Sequence, residues 1–212
     1  MSRVVVFDLD GTLLQSNSSF SFALYLFSKG EISYPAFAYL SYRFFLFRFL
    51  NTSYKQLQTA VFKRIFQGKS LKTFTDYIPS FIEQKISTLF YGPAILKLKN
   101  HLRLGHRVMI LSNSPNFLVE PIGASLNVFD AHGSRYTIDQ GGRLVDIAFL
   151  LDGHRKTEIV KGVISQTGSS VIYAYSDSCQ DLPLLELADY PTVVRPDLKL
   201  KRIALNRGWE IL

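Results

Sequence analysis

The chain has 212 residues, 47% of them hydrophobic, and a formal net charge of +7; a chain of this size and composition buries a substantial core and is not disordered. Its single cysteine, Cys179, excludes an intramolecular disulfide and any C-x-x-C motif, and His101, His106, His132 and His154 lack the H-E-x-x-H spacing of a zinc site. Asp8 leaves no room for a secretory signal ahead of the first strand, so a cytoplasmic protein is expected.

The first predicted element is the apolar run Val4 to Leu9, which stops within the sequence FDLDGT. Asp8 and Asp10 are two residues apart at a strand end and so face one crevice, while Gly11 permits a sharp turn and Thr12 adds a hydroxyl. Two carboxylates at one point attract a cation; the plainer alternative is an ordinary Asp-Gly turn. From Ser16 to Phe90 the composition changes. Nine Lys and Arg face three Asp and Glu, a net +6, and the segment holds 19 of the 28 Phe and Tyr residues. This shift marks residues 16–90 as an inserted helical piece within a core made of 1–15 and 91–212. Within it, Tyr34 to Leu50 (YPAFAYLSYRFFLFRFL) reads as one helix, apolar on almost every face. It is shorter than the ~20 residues that span a bilayer. Burial inside the insert, an apolar substrate channel and a membrane-surface contact are its three readings, and the basic residues around it favour lipid.

The second core strand, Val108 to Leu111, runs into SNSP, with Ser112 at its tip and Pro115 at the first position of a helix capped by Ser114. A hydroxyl, backbone N–H groups and a helix start suit a phosphate, although a simple serine cap explains the same residues. The stretch YTIDQGGRLV predicts a hairpin turning at Gly141-Gly142. Lys156 lies near the start of a helix over Lys156 to Ser165; a surface lysine is the default reading there, and Arg155 and Lys161 compete for any phosphate role. The strand Val171 to Tyr175 ends in YSDSCQDLPLLE, where Asp177 and Asp181 flank a turn ahead of a helix over Leu182 to Ala188. Loop solvation or helix capping would explain those two acids equally well. Thr192 to Val194 is the last predicted strand. Near-continuous apolar runs alternating with helices predict an α/β fold, a doubly wound, Rossmann-like parallel sheet covered on both faces, with ligands beyond the carboxyl ends of its strands.

In this order D-x-D-G-T, S-N-S, Lys156 and D-x-x-x-D resemble the four motifs of the haloacid dehalogenase superfamily of phosphatases, and the insert after the first motif resembles the helical cap of its phosphoserine-phosphatase-like branch. The resemblance implies that Asp8 is the nucleophile forming an aspartyl-phosphate and Asp10 the general acid, then base. It implies Mg²⁺ held by the Asp8 carboxylate, the Asp10 carbonyl and Asp177, with Asp181 supporting through water, and phosphate oxygens held by Ser112, the Asn113 backbone and Lys156 beside Gly11 and Thr12. Ser176 stands where many relatives have glycine, a difference expected to be tolerable because the role there is mainly that of backbone. Asn17 stands where phosphoserine phosphatases carry a substrate-recognising glutamate, which disfavours phosphoserine as substrate. The expected partner is a phosphomonoester, with an apolar or lipid-like body and a peripheral membrane contact through the cap. A phosphotransferase would share the same intermediate, a catalytically dead adaptor is the non-enzyme alternative, and no nucleic-acid-binding motif appears.

Overall fold

Val4 to Phe7 are β-branched or aromatic and wholly buried, which only a strand covered on both faces allows. In the computed structural model of the chain, residues 3–50, 54–168 and 171–212 are described, the side chains of 47–50 and 54 excepted. Strand β1 (Arg3–Phe7) lies at the centre of the sheet. On one side of it come β2 (Arg107–Pro115), β3 (Ala131–Ile138) and β4 (Leu144–Phe149); on the other come β5 (Val171–Ser176), β6 (Tyr190–Val193) and β7 (Glu210–Ile211). The order is β4-β3-β2-β1-β5-β6-β7 among the described residues. β3 and β4 pair antiparallel, as the hairpin reading required, and the other neighbours pair parallel. The chain therefore winds outward from β1 in both directions, and the carboxyl ends of β1, β2 and β5 meet at the switch point where such sheets bind ligands.

The fold is the predicted α/β one. The differences lie at element ends. β2 continues to Pro115, so its helix begins at Asn116 with Pro115 at the cap position, and the Ser114 side chain does not cap it. The hairpin reading covered only the end of β3, from Tyr136 onward, and β7 is two exposed residues, too short for any alternation, tied to β6 by main-chain pairing and by the Thr192 hydroxyl donating to Glu210 Oε2 (2.9 Å).

Side chains alternate across the sheet. Val5 and Phe7 face one core cluster, with Ala94, Ile95 and Leu98 of the helix Gly92–Arg103 and Leu118, Val119 and Ile122 of the helix Asn116–Ser125. Val4, Val6, Met109 and Leu111 face the other, with Val160 and Val163 of the helix Gly153–Thr167 and Leu200 and Ala204 of the helix Leu198–Arg207.

The insert joins the first cluster. It leaves and re-enters the core side by side, with Gln15 N–H donating to Leu89 O (2.7 Å) and Tyr91 N–H to Leu13 O (2.8 Å). Its first helices are α1 (Ser18–Ser28), α2 (Tyr34–Leu50) and α3 (Tyr54–Val61), the last running into a wide π turn at Phe62–Phe66. Phe22, Leu26, Phe62, Phe74 and Phe81 share one buried cluster with β1 side chains, so much of the aromatic content is core. A second attachment closes the insert onto the β3–β4 hairpin. Gly68 N–H donates to Leu144 O (2.8 Å), Leu144 N–H to Lys69 O (2.9 Å) and Leu71 N–H to Gly142 O (2.9 Å), while Phe62 stacks on Tyr136 with centroids 5.4 Å apart.

Helix α2 is buried along one part of its surface and exposed along another. Leu40 is buried and Phe37 stacks on Phe27 of α1, whereas Tyr34, Tyr42 and Phe45 are more than half exposed. The side chains of Phe47 and Arg48, counted in the apolar and basic content of this helix, lie outside the described residues. No helix among the described residues is long and apolar enough to cross a membrane.

Candidate active site

Strand β1 delivers the first acid. The Asp8 N–H extends the ladder to Tyr175 O of β5 (2.9 Å), which leaves the carboxylate at the strand's carboxyl end, 6% exposed. The turn that follows depends on Gly11. Its φ is +84°, and a Cβ there would lie 2.1 Å from Asp177 Oδ2, so only glycine brings this loop against the end of β5. Thr12 is fully buried, and its hydroxyl reaches 3.5 Å toward Asp177 Oδ1.

Lys156 is not the surface residue that its sequence context suggests. It is 1% exposed, and its Nζ donates to Asp8 Oδ1 and to Asp181 Oδ2, both at 2.7 Å. The helix that carries it approaches so closely because it starts with Gly153, where a Cβ would lie 1.9 Å from Gln180 O. Arg155 and Lys161 go elsewhere: the Arg155 guanidinium donates to Leu150 O and Lys161 pairs with Glu158 at the surface. Asp181 is 2% exposed and receives a second bond at Oδ2 from the Ser176 hydroxyl (2.8 Å). The serine that replaces glycine therefore does more than supply backbone.

Ser112 is fully buried at the end of β2, and its hydroxyl accepts from Ser114 N–H (3.1 Å). Asn113 donates from Nδ2 to Gln180 Oε1 (3.3 Å) while its carbonyl accepts from the Ser134 hydroxyl (2.7 Å). Asp10 sits where core and insert meet. Its Oδ1 accepts from Ser18 N–H (2.6 Å), and its Oδ2 from the Ser114 hydroxyl (2.5 Å) and Asn17 Nδ2 (3.3 Å). The Ser114 hydroxyl meets Asp10 from 104 residues away, a contact that the local sequence does not disclose, whereas Ser18 and Ser176 lie eight and five residues from the acids they bond.

The electrostatics follow from crowding. Burial pushes the Asp8 carboxyl well above the usual carboxylate range, the Lys156 charge draws it down, and Asp181, Asp177 and Asp10 push it up again. Burial likewise raises Asp10 against the hydrogen bonds from Ser114 and Ser18. Burial first and the Asp181 charge second push Asp177 up to about 7. Burial disfavours the Lys156 charge, but the Asp181 and Asp8 carboxylates outweigh it and hold the ammonium above its ordinary range.

Four carboxylates around one ammonium leave room for a further cation. Asp181 Oδ1 is buried with no hydrogen-bond partner, an acceptor that a bound water or ion would satisfy. No group of three or more His, Cys, Asp or Glu side chains forms a complete metal-ligand set among the described residues. The donors that Asp8, Asp10 and Asp177 offer are hard oxygens, the kind that Mg²⁺ takes one or two at a time among its waters, and not the His and Cys donors of zinc sites.

The sequence matches the profile of haloacid dehalogenase-like hydrolases over residues 5–186. The "Inhibition of morphological differentiation protein" of Streptomyces azureus is 29% identical over 211 residues, 97% of this chain and 76% of the relative. A histidinol-phosphatase of Neisseria meningitidis serogroup C is 23% identical over 226 residues, all of this chain and 99% of the relative. Among solved structures, a protein of unknown function from Bordetella pertussis Tohama I superposes with a TM-score of 0.86 at 23% identity, covering 100% of this chain and 98% of that one. A substrate-bound phosphoserine phosphatase superposes with a TM-score of 0.71 at 15% identity, covering 95% and 90%. At such identities these two likenesses show the fold.

Proposed function

The chain belongs to the haloacid dehalogenase-like hydrolases, and from that premise we propose that it is a Mg²⁺-dependent phosphomonoester hydrolase whose nucleophile is Asp8. The observation that carries this reading is Lys156 held between Asp8 and Asp181 at 2.7 Å, at a strand end shared with Asp10, Ser112 and Asp177. The phosphatase name of the meningococcal relative supports the reaction class.

The residues divide the work as follows. A phosphate dianion repels an approaching carboxylate, and Lys156 and the Ser112 hydroxyl would offset that repulsion by engaging its oxygens. An Asp8 oxygen forms a bond to phosphorus as the ester P–O bond breaks, and Asp10 gives its proton to the departing alkoxide. Water then attacks phosphorus and passes its proton to Asp10, which releases inorganic phosphate and regenerates the Asp8 carboxylate. Mg²⁺ bound by the Asp8 carboxylate, the Asp10 carbonyl and Asp177 would add Lewis-acid stabilisation of the phosphoryl oxygens. Gly11 and Thr12 shape the turn that holds these acids together.

Hydrolysis of 4-nitrophenyl phosphate with and without Mg²⁺ tests this reading. Turnover should require the ion and fall by several orders of magnitude in Asp8→Asn, because no neighbouring group replaces the nucleophile. Full activity in Asp8→Asn or in excess chelator would overturn it.

A second reading concerns where the enzyme works. An open groove of about 820 Å³ between α2 and α3 is lined by Arg43, Lys55, Lys63 and Arg64, among others. None of these four forms a salt bridge among the described residues, and Tyr42 and Phe45 stand exposed on α2. Arg43 is half-buried and donates to Gln56 O (3.4 Å), but exposed Lys55, Lys63 and Arg64 beside exposed aromatics suit an anionic membrane surface, and the corresponding substrate has an apolar body behind its phosphate.

A further inference from the structure

The Ser114 hydroxyl has one proton and two lone pairs, and all three are used. It donates to Asp10 Oδ2 at 2.5 Å. The Ser18 hydroxyl donates to it at 3.1 Å, and the Ser19 hydroxyl lies 2.8 Å away. With its own proton committed to Asp10, Ser114 is the acceptor in both of these contacts. Ser114 is fully buried, as is Ser18. The two partners come from the first turn of α1, the start of the insert, whereas Ser114 stands at the end of β2 in the core. One hydroxyl is thus the joint between the insert's first helix and the carboxylate that the proposed reaction uses to move protons.

A second connection runs through the main chain. Ser114 N–H donates to the Ser112 hydroxyl at 3.1 Å, so the same residue orients a group proposed to hold the phosphate. Asp10 Oδ1 meanwhile accepts from Ser18 N–H at 2.6 Å, and Asn17 Nδ2 stands 3.3 Å from Oδ2. Both carboxylate oxygens are therefore aimed by groups of the insert and by Ser114.

We propose that Ser114 is a positioning residue for proton transfer: its hydroxyl, held by Ser18 and Ser19, fixes the direction in which Asp10 presents its carboxyl group to the leaving oxygen. The inference rests on the reading of Asp10 as acid and base. Removing the hydroxyl frees Asp10 to rotate and leaves the Ser18 and Ser19 protons without their acceptor. The chemistry that suffers is protonation of a poor leaving group. A 4-nitrophenolate departs without help, whereas an alkoxide needs the proton as the P–O bond breaks.

The test compares kcat/KM for 4-nitrophenyl phosphate and for n-propyl phosphate, since kcat/KM reports the steps through formation of the phosphoenzyme. In Ser114→Ala the alkyl ester should lose roughly 10- to 100-fold and the aryl ester less than about threefold, in keeping with the 10²–10⁴-fold worth of acid–base catalysis and its sensitivity to small misplacements. Ser114→Thr should recover most of the alkyl loss. Ser19→Ala, at a half-buried position that the fold tolerates, should lose in the same direction by a smaller factor. Thermal melting of each variant checks that it is folded. Equal losses for both esters, or an unchanged ratio in Ser114→Ala and Ser19→Ala alike, would overturn the inference while leaving the phosphatase reading in place. Wild-type protein that turns over neither ester with Mg²⁺ would overturn the phosphatase reading and this inference with it.

Discussion

At the strand ends, Asp8, Lys156 and Asp181 are each less than a tenth exposed, and the lysine meets both carboxylates at 2.7 Å. In the insert, Lys55, Lys63 and Arg64 are exposed and line an open groove without an acidic partner among the described residues. Charge is spent differently in the two places. A buried network constrains every member, because removing one partner strands the others in low dielectric. Exposed cations in water interact weakly with one another and with the fold, so they are available to an external anion and can vary without unfolding the protein. The comparison teaches that the proposed chemistry draws on charges that are paired and buried, whereas the proposed recognition draws on exposed charges of the insert that are free to vary.

Breaking the buried side of this comparison should have the largest effect. Lys156→Met keeps the length of the side chain but leaves Asp8 and Asp181 facing each other without a cation, at a cost of about 3–5 kcal/mol. For a chain of this size that lowers Tm by roughly 10 °C, readable by circular dichroism. A melting point unchanged within error would mean that the carboxylates are not held as the structure shows.

The intermediate case lies at the boundary between the regions. Asn17 caps α1 by accepting from Phe20 N–H (2.9 Å) and reaches Asp10 from its other end, so both insert residues that bond Asp10, Asn17 and Ser18, are neutral. A substrate ammonium finds no counter-charge there, and kcat/KM for L-phosphoserine should fall at least about tenfold below that of the best phosphomonoester in a broad screen. Phosphoserine ranking first by a wide margin would show that the insert recognises its substrate by another route.

The smallest effect belongs to the exposed side. Lys55→Glu combined with Lys63→Glu should leave the unfolding free energy within about 0.5 kcal/mol, as surface changes usually do. It should nevertheless weaken flotation with phosphatidylserine-containing vesicles, because each basic residue near an anionic surface contributes about 1 kcal/mol. Raising salt from 0.1 M to 1 M should have the same effect on wild type as the Debye length contracts from about 10 Å to about 3 Å. Wild-type protein that stays unbound at low salt would return the groove to ordinary solvated surface.

How far the sequence discloses the molecule follows the same division. Asp8 and Asp10 are legible because a strand end fixes where its side chains point and the apolar run before them identifies the strand, whereas only the resemblance separates Asp177 from loop solvation or helix capping. Lys156 is legible only through resemblance, since its burial depends on Gly153 letting a helix close onto the main chain of Gln180. Ser114 suggests a helix cap, and Ser176 is expected to matter mainly through its backbone; their hydroxyls instead bond Asp10 and Asp181. Helix α2 is apolar on nearly every face, so its periodicity carries no phase, and which rings turn inward is decided by packing against Phe20 and Phe27 of α1.

The claim on which the account turns is that Asp8 becomes covalently phosphorylated. Acid-quenched turnover with a ³²P-labelled phosphomonoester and Mg²⁺, followed by peptide mapping, addresses it directly. The account predicts an acid-stable, hydroxylamine-sensitive label on the peptide containing Asp8 and none in Asp8→Asn. Steady turnover with no label at any quench time, or a label that persists in Asp8→Asn, would contradict it.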